Sequence, residues 1–155
     1  MRFKIEEESK LLVPVSVGVS TPRKRALESS LEPVPANTRG MALIDTGASI
    51  SVVYRQIITK LKLTPRGLCR VYGFSGSDPD NIEHPNYDIS LAILDAVHHD
   101  QKPRDEVDRI EFPALQAVSP PFTSSHHDML IGMDVLSSMV LTVNWPDKWF
   151  DLNRS

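Results

Sequence analysis

The chain has 155 residues, which is long enough for one domain with a hydrophobic core. Its formal net charge at pH 7 is −3. The weak negative charge argues against nucleic acid or an anionic membrane as a general partner. No apolar run approaches the ~20 residues of a membrane span, the first residues lack the core of a secretory signal, and the single Cys69 cannot form an internal disulfide. We therefore expect one domain over residues 1–155, with a cytoplasmic location favoured.

The N-terminal part of the chain predicts strands. Phe3 and Ile5 have β character, and Leu11–Val19 carries valine at every second position, as expected of a strand with one buried face. Residues 21–38 differ, because they combine three prolines with the basic cluster Arg23-Lys24-Arg25. We expect an exposed loop there and interpret the cluster as its solvated tip; a processing site or a partner contact is the alternative.

The segment Met41–Val53 carries the most informative pattern in the chain. An apolar run that ends at Ile44 predicts a buried strand, and it is followed by Asp45-Thr46-Gly47-Ala48-Ser49 and a second apolar group. An ordinary strand–turn–strand would explain the aspartate and the glycine. However, a carboxylate between two hydrophobic segments costs free energy unless it is hydrogen-bonded or shares a proton, so Asp45 is a candidate catalytic group.

A short helix and a hairpin are predicted next. Apolar residues at helical spacing predict a helix within Tyr54–Leu63, ending before Pro65. Residues 70–90 then predict a hairpin whose tip contains Gly73 and Gly76, since glycine accepts the positive φ values of tight turns. The strand that returns from the tip, Tyr87–Leu94, has its apolar residues Tyr87, Ile89, Leu91 and Ile93 on one face.

The C-terminal part predicts further strands. Residues 98–109 form a charged surface loop, Ile110–Val118 a strand, and the run from Asp128 to Leu136 leads into a short helix. A strand over Met139–Val143, a turn and a last strand with Trp149 and Phe150 complete a mainly β chain with two short helices.

Two His-His-Asp triplets occur in polar segments, at residues 98–100 and 126–128. Clustered histidine and aspartate can bind zinc. Adjacent residues on a strand point to opposite faces, so we interpret these histidines as solvated loop residues and expect no metal site.

The motifs LIDTGAS (Leu43–Ser49) and LIGMDVL (Leu130–Leu136) together resemble the retropepsin-like aspartic proteases, over roughly Leu11 to Leu152. The resemblance implies an all-β acid-protease fold, a closed or partly open barrel with one or two short helices, and an active site completed by homodimerisation. It implies an aspartic endopeptidase without metal or cofactor, in which Asp45 of each subunit activates water to cleave an extended polypeptide. Thr46, Gly47 and Ala48 would complete the active-site loop, and a flap formed by Tyr72, Gly73, Phe74, Ser75 and Gly76 would cover the substrate.

This sequence departs from retroviral members at Ser49 and at Met133-Asp134, where they carry Asp and Arg-Asn, and so it is closer to the cellular and bacterial branches. Asp134 is expected to be structural, capping the short helix, rather than catalytic. Ala48 lacks the hydroxyl of pepsin-like enzymes, which implies a less acidic pH optimum than theirs.

The alternative function is a binding module. The same dimeric fold could bind an extended peptide by strand addition, or serve in dimerisation, without catalysis. The two functions differ at Asp45, because only the enzyme requires its carboxylate.

Overall fold

The computed structural model describes residues 1–5, 7–72, 83–95 and 108–155. In these ranges the strands are β1 (Arg2–Lys4), β2 (Leu12–Val19), β3 (Thr38–Ile44), β4 (Val52–Val53), β5 (Gly67–Arg70), β6 (Glu83–Leu94), β7 (Arg109–Val118), β8 (Met129–Ile131), β9 (Met139–Asn144) and β10 (Trp149–Arg154). The helices are α1 (Thr21–Ser29), α2 (Arg55–Leu61) and α3 (Met133–Leu136), with a 3-10 turn at Glu7–Ser9.

Six strands form a closed barrel in the order β2-β3-β8-β4-β7-β6, and β6 closes it by pairing with β2. The pairs β3–β8 and β4–β7 are parallel and the other pairs around the barrel are antiparallel. β5 lies outside this closed set, paired with the first residues of β6. The all-β barrel predicted from the sequence is confirmed.

The alternating valines of β2 form one wall of the core. Val13, Val15 and Val17 have no exposed surface, and β6 places Ile89, Leu91 and Ile93 next to them through the pairs Val19–Ile89, Val17–Leu91 and Val15–Ile93. Each side chain of this size stabilises the folded state by about 1.5–3 kcal/mol when fully buried. The face predicted for β6 is therefore the buried one.

A second, three-stranded sheet covers one side of the barrel in the order β1-β10-β9. Phe3 of β1 and Phe150 of β10 stack with ring centroids 5.1 Å apart, and Phe150 and Leu152 are fully buried. The predicted last strand is thus present and contributes two large side chains to the core.

The exposed loop predicted over residues 21–38 is wrong for its first half, which forms α1. The side chain of Ser20 accepts a hydrogen bond from the Arg23 N–H and caps the helix, and Pro22 lies in the first turn, where its missing N–H costs nothing. Leu27 is the residue of α1 that is buried. Residues 30–37 have no regular secondary structure, and the basic triplet is exposed on α1 rather than at a loop tip.

The other connections agree with the sequence in outline. α2 lies inside the predicted helix and ends where Lys62 adopts a left-handed conformation with φ of 50°. β5 and β6 form an antiparallel hairpin with Gly67 opposite Asn86 and Arg70 opposite Glu83, while residues 73–82 lie outside the described ranges. Most of the charged loop predicted at 98–109 also lies outside them, although its last residue, Arg109, already belongs to β7.

None of the helices in the part of the chain that the structure describes has the length and apolar character needed to cross a membrane.

Candidate active site

Asp45 lies directly after β3, at the point where this strand runs parallel to β8. Ile44 is the register partner of Ile131, and the Asp45 N–H donates a hydrogen bond of 3.0 Å to the Ile131 carbonyl. The backbone position of Asp45 is therefore fixed by its hydrogen bond to β8. Its side chain is half-buried next to the ends of these two parallel strands.

The loop folds back on the carboxylate of Asp45. The Gly47 N–H donates to Asp45 Oδ1 at 2.8 Å, and the Ala48 N–H donates to the Asp45 carbonyl at 3.3 Å. A backbone N–H that donates to a carboxylate makes a charge-assisted bond, which orients the acid. Thr46 and Gly47 are exposed, so the turn lies at the surface of the chain and holds an oriented, half-buried carboxylate.

The connection between β8 and α3 packs against the Asp45 loop and holds its backbone in place. The Met133 N–H donates to the Ala48 carbonyl at 2.8 Å. A methyl group at Gly132 would lie 2.7 Å from the Ile50 carbonyl carbon, which is closer than van der Waals contact permits. Glycine is therefore required at position 132 for the backbone of the loop to approach α3.

Ser51 and Asp134 join the far end of the loop to α3, and sequence reasoning did not single out Ser51. Asp134 accepts the Ser51 N–H at 2.9 Å and the Ser51 hydroxyl at 2.7 Å, while the same hydroxyl oxygen accepts the Gly132 N–H at 3.1 Å. Ser51 has no exposed surface. A polar residue between Ile50 and Val52 was the available signal, because a buried hydroxyl requires partners.

The role expected for Asp134 needs one correction. Gly132 occupies the N-cap position of α3 and makes no side-chain cap, whereas Asp134 lies in the first turn. Its carboxylate accepts the Val135 N–H at 3.0 Å in addition to the two bonds from Ser51. Asp134 thus connects the loop to the helix, and capping is the smaller part of its contacts.

A small apolar cluster lies beside Asp45. It consists of Val52, Tyr54 and Val118, with Ile50, Cys69, Val71 and Leu130 packed against it. Burial raises the pKa of the Tyr54 hydroxyl, and the negative charge of Asp45 raises it further. The charge of Asp45 therefore acts on Tyr54 in this apolar cluster. Cys69 and Val71, from the hairpin arm, pack against the same cluster.

His127 packs against Tyr54 of this apolar cluster. It is half-buried, whereas the sequence predicted a solvated loop histidine. Its ring meets Tyr54 edge-on with centroids 5.3 Å apart, and neither ring nitrogen has a hydrogen-bond partner among the described residues. Burial lowers the pKa of His127, and the neighbouring charges of His126 and Lys10 act in the same direction, against Asp128. His126 is exposed, as expected.

Of the predicted flap residues, Tyr72 lies within the described ranges and is 75% exposed. Gly73, Phe74, Ser75 and Gly76 lie outside them. Cys69 and Val71 of the hairpin arm therefore pack on the same apolar cluster as Ile50, which follows the Asp45 loop, and the tip of the hairpin lies outside the described ranges.

No group of three or more His, Cys, Asp or Glu side chains that could bind a metal ion occurs among the residues in the described ranges. The triplet at residues 98–100 falls outside those ranges.

One solved structure superposes on nearly the whole chain rather than on one motif. A retropepsin-like aspartic protease from Rickettsia conorii superposes with a TM-score of 0.57 at 10% sequence identity, covering 99% of this chain and 90% of the other. The retroviral protease-like domain of Ddi1 from Leishmania major gives a TM-score of 0.41 at 11% identity, covering 91% and 87%. No protein-family model matches the sequence, and comparison with curated proteins gives no match. With the closed barrel and the full-length superposition on the Rickettsia structure, the chain has the retropepsin-like fold.

Proposed function

We propose that the protein is an aspartic endopeptidase in which Asp45 from each of two subunits activates water for hydrolysis of a peptide bond. The observation that carries the proposal is the geometry of the loop. Gly47 donates to the carboxylate at 2.8 Å, and the loop is connected to α3 through Ala48 and Ser51. This arrangement orients one carboxylate towards solvent at a retropepsin-like barrel mouth.

The chemistry requires a second carboxylate. Peptide hydrolysis without a metal or a covalent intermediate needs one group to remove a proton from water and another to protonate the leaving amine. Two carboxylates a few ångströms apart share one proton and can perform both steps. The sequence contains a single Asp-Thr-Gly, so the second carboxylate comes from an identical chain related by a two-fold axis.

The surface around the loop supports such a dimer. Thr46 is exposed at the tip of the turn, and Met133, whose N–H binds Ala48, has 40% of its surface exposed. An exposed apolar side chain next to an active-site loop is what a self-complementary interface would bury. Thr46 then contacts the partner loop, Gly47 lets backbone approach water and substrate, and Ala48 forms the floor.

The β5–β6 hairpin supplies the substrate cover in this proposal. Its arm packs through Cys69 and Val71 on the wall next to Asp45, and residues 72–76 continue from that arm. An extended polypeptide lies between this segment and the two aspartates, without metal or cofactor.

The test is cleavage of a diverse peptide mixture from about pH 3 to about pH 7.5, followed by mass spectrometry. Asp45→Asn preserves the shape of the side chain and the acceptor for Gly47, so we expect an intact dimer and fold with at least about 10²-fold less turnover. Asp108→Asn, at an exposed aspartate, is the matched control. Absence of cleavage by the wild-type dimer, measured where sedimentation shows it to be dimeric, would contradict the proposal and favour the binding module.

A further inference from the structure

A groove of about 750 Å³ lies between α1 and the segment that connects α2 to β5. Its volume falls in the range of protein pockets that bind ligands or peptide side chains. The groove is reached from the Val19 end of β2, whereas Asp45 lies near the other end, where the Ile44 N–H binds the Leu11 carbonyl. At ~3.3 Å per residue, β2 separates the two places by about 23 Å.

Apolar residues form much of the groove wall. Val19, Leu27 and Leu61 are buried beneath it, and four prolines line it: Pro22, Pro33, Pro35 and Pro65. Proline has a fixed φ and no N–H, so these wall residues add apolar contact surface that loses little entropy when a ligand binds. The groove is therefore suited to apolar side chains.

The rim is positively charged. Arg23, Lys62 and Arg66 line it with a single acidic residue, Asp88, whose carboxylate binds the Arg66 guanidinium at 3.1 Å. Within the described ranges, Arg23 and Lys62 form no ion pair with a carboxylate. An excess of two positive charges is thus concentrated around an apolar groove, on a chain whose net charge is −3.

We infer that this groove binds an acidic peptide segment of a partner protein, with Leu or Pro side chains in the groove and Asp or Glu side chains at Arg23 and Lys62. The positive charges of Arg23 and Lys62 favour a negatively charged partner. The apolar residues of the groove favour a polypeptide, because its side chains can fill an apolar groove. A nucleic acid would require a longer row of cations and would leave the prolines without a partner. The inference does not depend on the proposed catalysis.

The test uses fluorescein-labelled short peptides composed of Glu, Asp, Leu and Pro, with fluorescence anisotropy as the readout. One comparison peptide replaces the acidic residues with Lys, and a second replaces Leu and Pro with Ser. The variant Arg23→Glu/Lys62→Glu reverses both rim charges, and a Glu at position 23 matches the pattern of a capping box with Ser20, so α1 is retained. Arg25→Glu/Lys60→Glu reverses two exposed charges of α1 and α2 outside the groove lining.

We expect the acidic apolar peptide alone to bind, and the groove variant to raise its Kd at least about tenfold while the control variant changes it less than about twofold. Equal weakening by both variants would show general charge attraction and overturn the inference. So would equal binding of the Ser-containing peptide, or no binding of any peptide at low salt. Circular dichroism of each variant verifies that α1 and the barrel are intact.

Discussion

Ser51 and Asp134, 83 residues apart in the chain, are joined by two hydrogen bonds, from the Ser51 N–H at 2.9 Å and from its hydroxyl at 2.7 Å. Ser51 follows the Asp45 loop, and Asp134 lies in the first turn of α3. The same hydroxyl oxygen accepts the Gly132 N–H. The Ser51 hydroxyl, placed directly after the Asp45 loop, therefore satisfies one acceptor and one donor of the β8–α3 segment and joins the two segments that form the candidate active site.

Ser51→Ala should destabilise the protein by about 2 kcal/mol, because it removes a hydrogen bond to a carboxylate and leaves the buried Gly132 N–H without its acceptor. Urea unfolding followed by circular dichroism measures the free energy. Ser49→Ala, at an exposed serine two residues earlier, is the control and should change stability by less than about 0.5 kcal/mol. Equal effects of the two substitutions would contradict the role given to Ser51.

Gly132→Ala should be more damaging, with a loss of about 3 kcal/mol or more. A methyl group there would lie 2.7 Å and 2.8 Å from the Ile50 carbonyl carbon and oxygen, and backbone atoms cannot move aside as a flexible side chain can. Gly67→Ala is the matched control, since the methyl group would meet Asn86 Oδ1 at an ordinary 3.8 Å. Thermal unfolding of both variants measures the difference, and a Gly132 variant as stable as the Gly67 variant would show that the loop relaxes freely.

Ala48→Ser should shift the pH optimum of peptide cleavage downwards by about one unit. A hydroxyl in the loop floor can donate to the carboxylate of Asp45 and favour its ionised form, which then persists to lower pH. Initial cleavage rates across the pH range report the shift. Ser49→Ala, which removes an exposed hydroxyl next to it, should leave the profile unchanged. An optimum that moves upwards in the Ala48 variant would contradict this account.

The stability of the protein should decrease as the pH falls through the region in which histidine titrates, in part because of His127. Burial lowers the pKa of His127 in the folded chain below its ordinary value near 6.5. The unfolded chain therefore takes up its proton first as the pH falls below about 6.5, and that uptake favours unfolding; above that pH the contribution to stability is complete. His127→Phe removes the titration and retains an aromatic ring against Tyr54.

The measurement is the melting temperature of wild type and His127→Phe between about pH 7 and about pH 5. We expect wild type to lose more of its melting temperature than the variant over this interval. Identical slopes would show that the folded chain protonates His127 as readily as the unfolded chain does.

The sequence predicted the barrel strands because their signal is local. Alternating valines in β2 and alternating apolar residues in β6 each indicate one buried face, and both faces are buried. The helix α1 was missed because its signal was weak. It buries Leu27 alone, and its Pro22 and basic triplet are as typical of a loop as of a first helical turn.

In the candidate site, too, residues that belong to a local motif were predicted and residues defined by distant contacts were not. Asp45, Thr46, Gly47 and Ala48 were selected by a contiguous motif, and the structure places them in one turn. Ser51 and His127 were not selected, because their environments depend on residues distant in the sequence. Ser51 is defined by Asp134, and His127 by the Tyr54 ring. No local periodicity encodes such pairings, nor the parallel pairing of β3 with β8.

The strand β6 has a mechanical consequence. Its first residues pair with β5 in the hairpin, and from Ile89 to Ile93 the same unbroken strand closes the barrel against β2. One strand thus belongs to both the hairpin and the barrel. A displacement of the hairpin away from its position would therefore also strain the pairing of β6 with β2. The β6–β7 ladder shifts register between Ile89 and Leu91, and the extra residue lies on β7, so β6 itself continues from the hairpin into the barrel without a bulge.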